Sequence, residues 1–266
     1  MDLQLNDRHI LITGGSKGIG LACARAFLAE GARVSLVSRD AANLARAVAT
    51  LRDADASSAT RISTFCADTG DAAQALAALE QAQQRGGPID VLVNSAGAAR
   101  RTPPDELTPQ AWADAMQAKY FACVYMLDAV VKRMAQRGRG AVVNVIGAGG
   151  KVASSIHLPG GAANAALMLV TAGLATTYAP KGVRVNAVNP GLTLTDRMAE
   201  GLAADARLQG IHADEALQRA QARLPLGRIA KPEEIAAAVV FLASPRASYI
   251  SGAIVAMDGA VTPMVV

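Results

Sequence analysis

Aromatic residues are scarce in this chain of 266 residues, at 3%, too few for a surface that stacks on nucleic-acid bases. Cysteine and histidine are scarce too. Cys23, Cys66 and Cys123 lie far apart, with no CxxC and only three histidines, so no metal site is expected and the thiols read as buried in a reducing compartment. The formal charge of +4 is spread along the chain and offers no basic tract for nucleic acid. No stretch approaches about 18 uninterrupted apolar residues. The opening MDLQLNDRH alternates acidic and basic residues where a signal peptide would be apolar. A cytosolic protein with neither membrane nor nucleic acid as partner is the expectation.

Apolar residues, by contrast, are plentiful. At 52% hydrophobic and 18% charged, the chain can bury one large core, so residues 1–266 are expected to form a single domain. The run His9-Ile10-Leu11-Ile12-Thr13 reads as a strand, Gly14 to Gly20 as a glycine turn, and Leu21, Ala24, Phe27 and Leu28 as one face of a helix. Glycines let the backbone approach a pyrophosphate, and the helix start offers free N–H groups and partial positive charge. Val34 to Ser38 supplies the next strand, completing a βαβ unit.

The alternation continues. Helices are expected at about 41–54, 71–85, 108–136, 161–179 and 232–243, and strands at about 62–67, 90–94, 141–146, 183–188 and 253–257. This spacing predicts a Rossmann-type, doubly wound parallel α/β sheet of about seven strands with helices on both faces. A polar helical insert at about 195–222 leaves a strand's carboxyl end, where such sheets bind ligands, and reads as a substrate lid.

The sequence resembles the short-chain dehydrogenase/reductase family over essentially its whole length. Thr13 to Gly20 matches TGxxxGxG, Asn94-Ser95-Ala96-Gly97 matches NNAG with one change, and Pro190-Gly191 with Thr195 matches PGxxxT. Leu226-Gly227-Arg228, Pro232 to Ala236 and Ser251 to Gly259 resemble its C-terminal signature. The resemblance implies a nicotinamide dinucleotide held by Gly14, Ser16, Lys17, Gly18, Ile19, Gly20, Arg39, Asp68, Thr69, Asn94, Ala96, Gly97, Asn164, Pro190, Gly191, Thr193 and Thr195. It also implies assembly as a homotetramer or homodimer. Arg39 stands where an NAD-preferring protein usually has a carboxylate, and with Lys17 it is suited to a 2′-phosphate, so NADP(H) is expected over NAD(H).

The family's catalytic residues are an Asn, a Ser and a Tyr-x-x-x-Lys. Aligned by their flanks, these positions hold Lys119, Gly147, Gly160 and Asn164. All four are replaced, and loss of the Tyr is expected to leave space above the cofactor. Lys119 and Asn164 look like an exchange of amide and cation between two positions. His157 is the one imidazole in the loop; titrating near 6.5, it is chemically able to replace a phenol. Lys119, His157 and Asn164 are therefore the candidate catalytic residues. Arg100 and Arg101 are placed to attract an anionic substrate, a solvated loop pair being the plainer reading.

Three functions stay open. The first is a noncanonical NADP(H)-dependent oxidoreductase acting on a carbonyl or alcohol. The second is a catalytically silent NADP(H) binder, and the third a non-redox enzyme using the same pocket for a small molecule.

Overall fold

The computed structural model describes residues 1–97 and 99–263; side chains at 197, 200, 204, 205 and 208 lie outside that description. The short β-branched and aliphatic runs form strands β1 (His9–Thr13), β2 (Arg33–Ser38), β3 (Ile62–Cys66), β4 (Val91–Asn94), β5 (Gly140–Val145), β6 (Val183–Pro190) and β7 (Ile254–Met257). They make one parallel sheet in the order β3-β2-β1-β4-β5-β6-β7. β1 and β4 are buried throughout, as strands covered on both faces must be.

Alternate residues feed two cores. On one face Ile10, Ile12, Val34 and Leu36 pack with Phe27 of α1 (Gly18–Ala29), Leu44 of α2 (Ala41–Ala54) and, though labelled last, Val239 of α9 (Pro232–Ala243). On the other, Leu11, Val37, Leu92 and Val142 meet Leu79 of α3 (Ala72–Gly86) and Met126 and Val130 of α5 (Ala122–Gln136). The strand order reverses between β1 and β4, and the crevice at their carboxyl ends is where such sheets take ligands.

The long central helix expected at about 108–136 is not continuous α-helix. It runs as α4 (Pro109–Ala115), a π-helical turn at Met116–Phe121, and α5. Such turns widen the backbone and recur at functional sites, and this one carries Lys119. Helix α6 (Leu158–Tyr178) starts earlier than the expected 161, with Pro159 in its first turn, a position that suits proline because its missing N–H would be unpaired there anyway.

The stretch Ser155–Lys181 is long and apolar enough by composition to cross a bilayer; Asn164 and Thr171 interrupt the run and hide this from a count of consecutive apolar residues. Leu167, Thr171 and Ala175 are buried, with α6 lying against β6, whereas Ala165, Leu169 and Ala172 stay exposed. The insert forms α7 (Asp196–Gln209) and α8 (Ala213–Ala222). One thiol departs from expectation: Cys23 and Cys123 are buried and pushed up to about 12 by desolvation, but Cys66, at the end of β3, is exposed.

Candidate active site

The glycine turn is shaped by contacts that leave no room for side chains. Gly14 has φ +64°, and a Cβ there would lie 2.7 Å from the backbone nitrogen of Ala96. The two ligand-facing turns therefore touch through backbone alone. A Cβ on Gly20 would strike the Gly14 carbonyl oxygen at 2.3 Å, which brings Ile19 and the start of α1 hard against the turn. Lys17, the exposed N-cap, makes no side-chain cap, so the helix start keeps its N–H groups for an anion.

Behind this turn runs a row of buried polar side chains. Thr13 Oγ1 donates to Asn94 Oδ1 at 3.3 Å and accepts from Ala96 N–H at 3.3 Å; Asn94 Nδ2 donates to Asn144 Oδ1 at 3.0 Å; Asn144 Nδ2 donates to Thr171 Oγ1 at 2.9 Å. Thr13 pairs with Asn94, and Asn94 with Asn144, in the strand register. The side chain of Asn94 is consumed by this chain and braces the strand ends.

At the far end of the crevice Ser16 Oγ donates to Ser38 Oγ at 3.0 Å. Arg39 is 3.9 Å from Asp68, with 74% of its side chain exposed, and the neighbouring Thr69 is buried. The Asp40 carboxylate is turned away: it caps α2 by accepting from Asn43 N–H at 2.9 Å, and that bond holds its pKa below the usual range. On the opposite wall Thr195 caps α7 by accepting from Met198 N–H at 3.3 Å, and its methyl would lie 3.1 Å from a Cβ on Gly18. Thr193 Oγ1 donates to the Gly191 carbonyl at 3.2 Å, and Gly191, after Pro190, packs on Asp258.

The four positions expected to correspond to the family's catalytic residues come together at the carboxyl ends of β4 and β5. Gly147 has φ +125°, a conformation that disfavours the family's serine, and a Cβ there would lie 3.3 Å from Asn164 Nδ2. Lys119 crosses over Gly97, its Cγ 3.5 Å from the position of a Cβ there, and its Nζ is 3.5 Å from the Ile146 carbonyl oxygen.

The expected open space at the tyrosine position is a correction. A Cβ on Gly160 would lie 2.2 Å from Cε1 and 2.5 Å from Nε2 of His157, and 2.8 Å from the Cβ of Ala99. The short helical turn at Ser155–His157 leads directly into α6 and folds the imidazole over its first turn, so the ring occupies the space directly over Gly160.

A second correction concerns charge. Burial, then the positive charges of Lys119 and Arg101, push the His157 pKa down from 6.5 to about 4, so the imidazole is neutral at neutral pH. Arg101, named only with Arg100 as a possible anion attractor, is thus part of this constellation; its distance in sequence from His157 gave no signal. Three buried polar atoms here lack a partner among the described residues: His157 Nδ1, Asn164 Oδ1 and Asn189 Oδ1. Asn189 precedes the Pro190-Gly191 pair in the segment that resembles the family's PGxxxT motif, but was not among the residues expected to hold the cofactor.

These features fit a nicotinamide dinucleotide. The uncapped start of α1 suits its pyrophosphate, and the orphaned Oδ1 of Asn164, 2% exposed, suits a ribose hydroxyl. A family model described as enoyl-(acyl carrier protein) reductase matches residues 14–262. The chain belongs to the short-chain dehydrogenase/reductase family, a family of oxidoreductases. Along its length it is similar to the D-threitol dehydrogenase of Mycolicibacterium smegmatis, with 36% identity over 264 residues covering 98% of this chain and 95% of that one. It also matches the structure of L-sorbose reductase from Gluconobacter frateurii complexed with NADPH and L-sorbose. That match has a TM-score of 0.89 and 30% identity, covering 97% of this chain and 98% of the other. A short chain oxidoreductase from Pseudomonas aeruginosa, solved with NADPH and described as containing an atypical catalytic center, matches with a TM-score of 0.87 and 31% identity. Coverage there is 98% of this chain and 100% of the other.

Proposed function

We propose that the chain is an NADP(H)-dependent oxidoreductase acting on a carbonyl or alcohol, with His157 and Lys119 serving where the family uses Tyr, Ser, Asn and Lys. The observation that carries this reading is the imidazole seated over Gly160, with the ammonium of Lys119 acting on it. The cofactor supplies or accepts the hydride. Asn164 orients it through its side-chain oxygen, while Arg39 and Lys17 favour the 2′-phosphate form because Asp40 is engaged as a helix cap.

The two side chains divide the proton chemistry. A neutral imidazole donates an N–H to the substrate oxygen and orients it; with its pKa near 4 it holds little of the imidazolium form. The proton that an alkoxide takes up in reduction comes from Nζ of Lys119, whose positive charge also stabilises negative charge building on that oxygen. Oxidation reverses the transfer. Helices α7 and α8 serve as the lid that keeps water out. The exposed apolar face of α6 joins copies into a dimer or tetramer, a point that a monomer mass by light scattering would remove. A cytosolic location belongs to the same reading, because free thiols that form no disulfide suit a reducing compartment.

Titration calorimetry with NADPH and NADH, followed by reduced-nicotinamide absorbance against a panel led by polyols and ketoses, tests the proposal. The panel starts there because D-threitol and L-sorbose are named for the relatives. NADPH is expected to bind more tightly than NADH. H157A is expected to lower kcat about a hundredfold and K119M at least tenfold. Unchanged turnover in both variants would remove these residues from the mechanism, and binding without turnover of any compound would leave a nucleotide-binding protein alone.

A further inference from the structure

Two turns of the cofactor crevice close on the π-helical turn Met116–Phe121. On one side lies Gly97: a Cβ there would be 3.1 Å from the Ala118 carbonyl oxygen and 3.3 Å from Cα of Lys119. On the other lies the turn after β3, residues 68–70. Gly70 N–H donates to Asp68 Oδ1 at 2.9 Å, and the Gly70 carbonyl accepts from Nε2 of the Gln117 side chain. The Gln117 backbone lies close as well, its carbonyl oxygen 3.6 Å from the position of a Cβ on Gly70. Gln117 thus ties the Asp68 turn to the π-helical turn, two residues ahead of Lys119. Asp68 is 3.9 Å from Arg39, so the tie begins beside the seat given above to the adenosine 2′-phosphate. It ends at Lys119, whose Nζ is 3.5 Å from the Ile146 carbonyl oxygen.

The register of this turn sets the direction of Lys119. A π-helical turn takes in one residue more than an α turn, and neighbouring residues of an α-helix are about 100° apart around the axis. A return to α geometry would therefore swing the Lys119 side chain by up to about that angle. With ordinary α-helix before and after it, in α4 and α5, the wider turn depends on what holds it from outside.

We propose that Gln117 is a positioning residue that couples the adenosine end of the bound dinucleotide to Lys119. A nucleotide that orders the Asp68 turn fixes the Gly70 carbonyl and, through the Gln117 amide, the π-helical turn. This rests on the reading of the site given above. Adenosine contacts then contribute to turnover as well as to affinity, remote binding energy being used to place a reacting group. The Gln117–Gly70 bond is exposed, so water satisfies the carbonyl when the amide is removed and the fold loses little. The loss falls on the placement of Lys119.

The test uses adenosine 2′,5′-bisphosphate, the adenosine end alone, and Q117M, which keeps a long unbranched side chain but cannot donate. Hydrogen exchange of the Met116–Phe121 amides in the wild type is expected to slow at least threefold when the bisphosphate binds. In Q117M the slowing is lost, while calorimetry shows the bisphosphate bound about as tightly. With saturating reduced nicotinamide mononucleotide as hydride donor, the bisphosphate is expected to raise wild-type kcat at least fivefold and to leave that of Q117M unchanged. Full NADPH turnover in Q117M then falls about fivefold, with turnover of the mononucleotide alone unaltered; a merely structural defect would lower both. Q110M, a change at an exposed glutamine of α4 that bonds Asp114, serves as the control and behaves as wild type. Absence of slowing in the wild type, undiminished slowing in Q117M, or slowing that brings no rise in turnover of an active enzyme would overturn the proposal. Gln117-dependent slowing in a protein that turns over no substrate would sustain the coupling while sinking the oxidoreductase reading.

Discussion

At Gly160 the space expected to be open is taken by a neighbouring side chain, the imidazole of His157. Substituting Ala for Gly160 sets two effects against each other: alanine favours the helix by up to about 1 kcal/mol, while its Cβ displaces the imidazole. The nearest atoms are the far end of a side chain, which can swing away, so G160A is expected to change stability by less than about 1 kcal/mol and to cut turnover by tenfold or more. In the H157A background the same change should affect turnover little, and a double-mutant cycle reads the coupling. Independent, additive losses would mean that the Gly160 change acts by a route other than displacing the imidazole. At this scale the sequence was partly legible. The spacing of Gly147, Gly160 and Asn164 pointed to one region, and Gly147 does lie beside Asn164. It did not reveal that His157 folds back over Gly160, because the direction of a loop side chain depends on tertiary packing. Nor did it reveal the depressed pKa, whose causes are burial and two cations distant in sequence.

Among the secondary-structure elements, the strand ends are tied by side chains as well as by the ladder. Asn144 is the middle link between β4 and α6, bonded to both Asn94 and Thr171. Replacing Asn144 with Ala leaves the buried Nδ2 of Asn94 without its acceptor and removes Thr171's donor. A loss of about 2–3 kcal/mol is expected, seen as a lower urea midpoint at unchanged slope. An unchanged midpoint would show that water replaces the lost contacts without cost. Element order, type and most boundaries were readable because strands buried on both faces are short aliphatic runs and the helices are amphipathic. The π-helical turn around Lys119 was not, since nothing in MQAKYF departs from an ordinary helical pattern.

For the molecule as a whole, the buried His9 and the half-buried His157 shape the response to acid. His9 is 1% exposed, with Nδ1 2.8 Å from the Gly87 carbonyl oxygen and Nε2 2.8 Å from Ser35 Oγ. Burial, the largest cause, lowers its pKa, as it does for His157. Both groups stay neutral in the folded state where the unfolded chain takes up protons near pH 6.5. Their contribution is therefore fully present above about pH 6.5 and is lost as pH falls from there towards the folded values, about 4 for His157. Chemical denaturation between pH 7.5 and 4.5 is expected to show falling stability, with a shallower fall in H157A. A flat profile would mean that these rings gain protons as readily in the folded protein.

Cys66 gives this architecture an experimental handle. Its thiol donates to the Arg39 carbonyl at 3.4 Å, at the edge of the sheet beside the arginine assigned to the 2′-phosphate, and the other two cysteines are buried. A maleimide fluorophore on the native protein therefore has one accessible attachment point per chain. It sits where nucleotide arrival changes the surroundings of the dye, so cofactor affinity can be followed optically with no residue altered and no turnover required.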